Sequence, residues 1–126
     1  MQDVIKKLKF RGPAVVVNAP AGILKLLEKE GLTTGLPKKG LASNTLVFLN
    51  SLKEFRDFLG KGLKSVEPDS VLWFAYPKGT SKIKTDINRD ILRVEGETFG
   101  ITTVTAVSID NTWSGLRFRP IAKVGS

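Results

Sequence analysis

Residues 71–76 read Val-Leu-Trp-Phe-Ala-Tyr, six apolar or aromatic residues with no polar position among them. A strand with one wet face alternates apolar and polar side chains; a strand covered on both faces does not. The run therefore predicts a central strand, and the Pro77 that follows marks its end. Working outward, Ala14–Val17 is a second short, β-branched apolar run, and Leu46–Leu49 is a third. Thr103–Ile109 and Leu116–Arg119 read as two further strands joined by the short turn Asp110-Asn111-Thr112.

Between the strands the apolar period changes to that of a helix. Asp3–Lys9 places Val4, Ile5 and Leu8 on one side. Ile23, Leu24 and Leu27 do the same before Gly31, a natural stop. Ser51-Leu52-Lys53-Glu54 fits a capping box and opens a helix carrying Phe55, Phe58, Leu59 and Leu63. A last helix is expected from about Asp86 to Thr98, with Thr85 as its N-cap. Residues 32–45, rich in Gly, Pro and hydroxyls, read as a loop.

Strands that alternate with helices, then two strands in succession, predict one α/β domain over residues 1–126. The expectation is a three-layer fold with a mostly parallel sheet of about five strands and an antiparallel C-terminal strand. Counting strands along the chain, the most uniform one is placed inside, next to the first, which gives a 2-1-3 core order. The chain direction would then reverse between the runs 14–17 and 71–76. In open α/β sheets ligands bind outside the strand ends at such a switch point.

Composition narrows the chemistry. The chain has no cysteine and no histidine, so thiolate nucleophiles, cysteine-zinc sites and imidazole bases are excluded. Neither a Walker A loop nor G-x-G-x-x-G occurs, so no cofactor and no metal is expected. No run is long enough for a signal-peptide core or a membrane span, so a cytoplasmic location and no membrane partner are expected. The formal net charge of +8 favours anionic partners.

The stretch after the central strand, PKGTSKIKTDINRD (77–90), carries Lys78, Lys82 and Lys84 beside Gly79, Thr80 and Ser81, and leads toward a helix start. Free N–H groups and the helix dipole favour an anion there. A small anionic ligand is therefore expected at the strand 1/strand 3 switch point, held by Asn18, Lys78, Gly79, Thr80, Ser81 and Asp110. A solvated turn before a capped helix is the plainer reading of the same residues. Two other readings stand beside it. An enzyme would use Lys78 or Asp110 for proton transfer, although Asp110 also begins a turn, a job Asp does commonly. A nucleic-acid-binding module would draw on the +8 charge, but its basic residues are scattered and lack interleaved aromatics, so only weak, salt-sensitive binding is expected. Asp86, Arg89, Asp90 and Arg93 read as a surface ion-pair ladder. Trp73 and Trp113 read as core or rim aromatics. The oligomeric state is not legible.

Three blocks, VVVNAP (15–20), LWFAYPKGTSKIKTDINRD (72–90) and VSIDNTWSGLRFRP (107–120), together resemble an uncharacterised family of small bacterial domains of unknown function. The resemblance spans Leu8 to Pro120 and implies no activity. It places motif positions on Asn18, Pro20, Tyr76, Pro77, Lys78, Thr85, Asp86, Arg89, Asp90, Asp110, Trp113, Ser114, Arg117 and Arg119.

Overall fold

The structure is a computed structural model and describes residues 1–124. Its centre is β4 (Val66–Pro77), the strand announced by the apolar run. From Val71 to Ala75 every residue is buried, Phe74 and Ala75 completely. The strand is interior as expected, but only one neighbour is parallel: β3 (Ala42–Phe48) lies parallel on one side and β6 (Trp113–Pro120) antiparallel on the other.

The six strands form one sheet in the order β2-β1-β3-β4-β6-β5. Here β1 is Val15–Val17, β2 is Thr33–Thr34 and β5 is Ile101–Ser108. The α/β class, the mostly parallel sheet and the antiparallel strand near the C-terminus are as expected. The 2-1-3 core order is not: the strand of residues 42–48 lies between the other two, giving 1-2-3 for the three runs. The reason is local. The strand begins at Ala42, inside a segment that reads as loop, because two of its buried positions are the polar Asn44 and Thr45. Asn44 is satisfied there by accepting from the Arg11 amide (2.8 Å) and donating to the Pro13 carbonyl (3.2 Å), so its burial carries little penalty.

Helices cover both faces. On one face lie α1 (Gln2–Leu8) and α2 (Ala21–Lys29), with Leu8, Val16, Leu27, Trp73 and Trp113 in the core they close. The Trp73 indole donates to the Leu8 carbonyl at 2.8 Å, which gives the C-terminal end of α1 a buried partner. On the other face lie α3 (Leu52–Asp57) and α4 (Arg89–Glu97). Phe74 is ringed there by Phe55, Phe58 and Phe118, with centroids 4.9, 5.4 and 5.2 Å away and planes close to perpendicular. Edge-to-face contacts of this kind add to area burial, and deleting such a ring costs about 3–5 kcal/mol.

Two features shape the ends of these helices. After Asp57 the helix widens into a π turn, Phe58–Gly62, then tightens into a 3-10 turn, Leu63–Ser65. The last helix starts at Arg89, three residues later than expected, with Asn88 as its cap: its side-chain oxygen accepts from the Ile91 amide at 2.9 Å. Arg56 joins α3 to α4 through both oxygens of Glu95 (2.8 and 3.2 Å). Of the expected ladder, Arg93 pairs with Glu97 at 3.5 Å rather than with an aspartate.

Gly96 is buried on α4, and a Cβ built there would lie 2.7 Å from the Phe118 ring and 3.3 Å from the Ile101 carbonyl. Alanine gains up to ~1 kcal/mol of helix propensity over glycine, but overpacking a filled core costs about 1–3 kcal/mol. Gly96→Ala should therefore lower stability by roughly 1 kcal/mol in urea unfolding, taking overpacking to win.

The Arg56 hydrogen bond holds the Glu95 carboxyl below its ordinary value, and the Arg119 hydrogen bond does the same for Asp69. A depressed folded pKa stabilises above the unfolded value, about 4 for these groups, and that contribution disappears as pH falls through the lower folded value. The melting temperature should therefore drop on acidification below about pH 5, and combining Glu95→Gln with Asp69→Asn should flatten that part of the profile.

Candidate functional site

The residues expected to form a site at the strand ends are engaged with one another. Lys78 follows the last residue of β4, with its ammonium bound to the Ser108 hydroxyl (2.6 Å) and the Asp110 carbonyl (2.5 Å). Its amide donates to the Thr112 carbonyl at 2.7 Å, so Lys78 joins β4 to the turn between β5 and β6. Asp110 is the hinge of that turn: one carboxylate oxygen accepts from the amides of Thr112 (2.8 Å) and Trp113 (2.7 Å). The following residues fold into a turn in which the Ser81 amide donates to the Lys78 carbonyl at 2.9 Å. The Ser81 hydroxyl is buried with no partner, Thr80 is exposed, and no atom approaches the Cβ position of Gly79.

The next part of the stretch clamps a different helix. The Asp86 carboxylate accepts from the Leu52 amide at 2.8 Å, at the open N-terminus of α3. Thr85 donates to the Asn50 carbonyl at 2.7 Å and accepts from the Ile87 amide at 3.3 Å. The predicted capping box is present in altered form. Ser51 accepts from the Glu54 amide at 3.2 Å, but Glu54 reaches back to Asn50 rather than to Ser51, at 2.6 Å. Two carboxylates therefore occupy the positive end of α3, which is where the dipole favours them.

Asn18 follows β1 in the left-handed region (φ 63°), a conformation Asn tolerates better than most residues. Its amide group bonds the Phe48 carbonyl (3.0 Å) and Glu54 (3.3 Å), bridging β1, β3 and α3. Because β3 lies between β1 and β4, Asn18 and Lys78 sit two strands apart, about 10 Å at the ordinary strand spacing. The structure does not bring them into one site.

The corrected order moves the switch point. From β1 the chain passes through α2 to β2 on one side, then returns to β3 on the other side. The return, residues 35–41, contains no helix, so this face of β1 is left partly open. A shallow cleft of about 420 Å³ lies there, floored by Val17, Val47, Phe48, Leu49 and Phe58. Its rim carries Asn18, Glu54, Asp57 and Lys61, and the π turn supplies Phe58, Lys61 and Gly62 as one wall. Sequence reading missed Asp57, Lys61 and Gly62. The available signal was the Gly60-Lys61-Gly62 interruption of a helical pattern. Among the described residues no His, Cys, Asp and Glu group could hold a metal ion, and no helix is long and apolar enough to cross a membrane.

No protein-family model matches the chain, and comparison with curated proteins gives no match. Solved structures do match its fold. One is a protein of Sulfolobus solfataricus assigned to the type 11 methyltransferases, with TM-score 0.53 and 9% identity over 98% of this chain and 79% of that one. The others include LepI in complex with SAM, TM-score 0.52 and 8% identity, and a pericyclic reaction enzyme, TM-score 0.50 and 10% identity. This chain spans 39% of the length of each of those two. At such identities the likeness is one of fold.

These findings correct the functional expectations. The small anion between the 14–17 and 71–76 strand ends loses its site, because Lys78 and Asp110 are spent on a turn, Asp86 on α3, and Asn18 on Phe48 and Glu54. The proteins whose folds this chain resembles are described as a methyltransferase of type 11 and as a complex with SAM, not as anion binders, and at these identities they speak for the fold alone.

Asp86→Ala should cost about 1 kcal/mol, the usual worth of a helix cap. Amide exchange should show the loss concentrated at Leu52–Glu54. An equal change across the whole chain would contradict the clamp.

Proposed function

We propose that the chain binds a small, neutral or cationic molecule with an apolar body in the cleft between the carboxyl ends of β1 and β3. The observation that carries this reading is the cleft's place at the switch point, where open α/β sheets hold ligands. Its apolar floor suits a flat organic body, and its rim of two carboxylates and one ammonium has a net charge of −1. A π turn in the wall agrees with the frequency of such turns at functional sites.

The likeness to a fold found in complex with SAM makes adenosylmethionine the first probe. The residues present fit it in part. The acidic rim suits a sulfonium cation, with Asp57 and Glu54 nearest to receive the charge. The turn after β1, Asn18-Ala19-Pro20-Ala21-Gly22, lacks the glycine-rich pattern that lets a backbone approach a nucleotide closely. After β2 the chain reads Gly35-Leu36, with no carboxylate for a ribose hydroxyl. The reading is accordingly one of binding, and no transfer step is derived.

Titration with adenosylmethionine, followed by amide shifts, tests it. Shifts should cluster at Val17, Asn18, Phe48, Asp57 and Phe58. Asp57 is half exposed and among the described residues bonds only Lys53, so Asp57→Asn leaves the α3 cap intact. It should weaken binding about two- to fivefold, the range of a partly screened ion pair. Absence of shifts in the cleft, or shifts that Asp57→Asn leaves unchanged, would remove the support for this reading.

A further inference from the structure

Two glycines, Gly60 and Gly62, stand in the π turn that walls the cleft. A glycine inside a helical segment needs a reason, because alanine is the better helix former. The usual reason, a left-handed backbone, is absent at Gly62. Its φ of −82° and ψ of −29° lie in the right-handed helical region, open to any residue. The reason is spatial. A Cβ built at Gly62 would lie 2.6 Å from two ring carbons of Phe58 and 3.2 Å from a third, well inside ordinary carbon contact. At Gly60 the same construction meets no atom within 4 Å, so the crowding belongs to position 62 and not to the turn as a whole.

Phe58 serves the cleft and the core at once. It lines the cleft, yet only 8% of it is exposed, and its ring meets Phe74 edge-on with centroids 5.4 Å apart. Its carbonyl accepts from the Leu63 amide, the bond that closes the π turn. The ring therefore has a packed side and an open side. A close-packed core resists added volume, and Phe55, Leu59 and Phe74 belong to that core. The cleft offers about 420 Å³ of open space instead. A side chain at position 62 would drive the ring that way.

We infer that Gly62 is a specificity-determining residue of the cleft: its missing side chain lets the Phe58 ring lie back against the π turn, and so sets how large a body the cleft accepts. This inference rests on the reading of the cleft as a binding site and identifies the position that limits its ligand. A flat organic body needs the ring retracted. With the ring advanced, the rim would keep Glu54, Asp57 and Lys61 and lose the depth of the floor, so selection would change by size and not by charge.

The test uses the full chain, Gly62→Ala, Gly60→Ala, Phe58→Leu and the double variant Gly62→Ala/Phe58→Leu. Each is titrated with adenosylmethionine, and the Phe58 ring contacts are read by NMR without ligand. Gly62→Ala should weaken binding about tenfold, the scale of one overpacked contact, and Gly60→Ala should leave it unchanged. On the Phe58→Leu background no ring is left to displace, so Gly62→Ala should have no further effect. A merely destabilising replacement would act on both backgrounds alike. In ligand-free Gly62→Ala the Phe58 ring should gain contacts to the Val17 and Val47 methyl groups and lose contacts to Phe74. Ring contacts that stay as in the unaltered chain would overturn the assignment, as would a Gly62→Ala effect undiminished beside Phe58→Leu. If the unaltered chain takes up no adenosylmethionine, the reading of the cleft fails on its own, and the ring contacts still decide the role of Gly62.

Discussion

Everything in this fold is arranged around the need to cover β4 on both faces at once. Trp73 faces one way and Phe74 the other, and each is buried almost completely. One layer of helices therefore cannot suffice. Trp73 draws in α1 through its indole bond to Leu8, and Phe74 draws in α3 and β6 through its aromatic ring of neighbours. With both faces closed, the parallel β3 and the antiparallel β6 complete the strand's hydrogen bonding, and chemistry is confined to its two ends.

The central strand, the layers and the hairpin were legible because burial there is written in unbroken or alternating apolar residues. The strand order was not. It turned on β3, whose buried Asn44 and Thr45 look like loop residues until the partners of Asn44, in residues 11–13, are seen across the sheet. A polar residue satisfied by a distant segment carries no local signal of its burial. The misplacement had a consequence downstream, since it put Asn18 beside Lys78 and so created a site that β3 in fact divides.

Lys78 and Asp110 sit together at the strand ends, apart from Asn18, and have structural work to do. Lys78, Thr85, Asp86 and Asp110 each bond a backbone group of a neighbouring element. Residues 79, 80 and 82–84 are exposed, so the stretch 77–90 is a solvated turn held at both ends. It is a tether joining β4, α3 and the β5–β6 turn. Spacing alone could not separate these roles, because a lysine or aspartate suited to a ligand is equally suited to an unpaired carbonyl or amide. The cleft escaped notice for a related reason. It depends on a departure from regular structure, the π turn, which has no compositional signature beyond its interrupting glycines.

The outer strands raise a separate matter of colloidal behaviour. One margin of the sheet is β2, only two residues long and a poor template for another chain. The other is β5, eight residues reading Ile-Thr-Thr-Val-Thr-Ala-Val-Ser, with no charge and no proline. Such an edge invites strand addition from a second molecule, and local irregularity near Val104 is its main built-in obstacle. The remaining safeguard is long-range: molecules carrying +8 repel one another before their edges meet. That repulsion weakens with added salt, whereas the unpaired backbone of β5 does not change. Purification and storage at high ionic strength would remove the safeguard and leave the sticky margin intact.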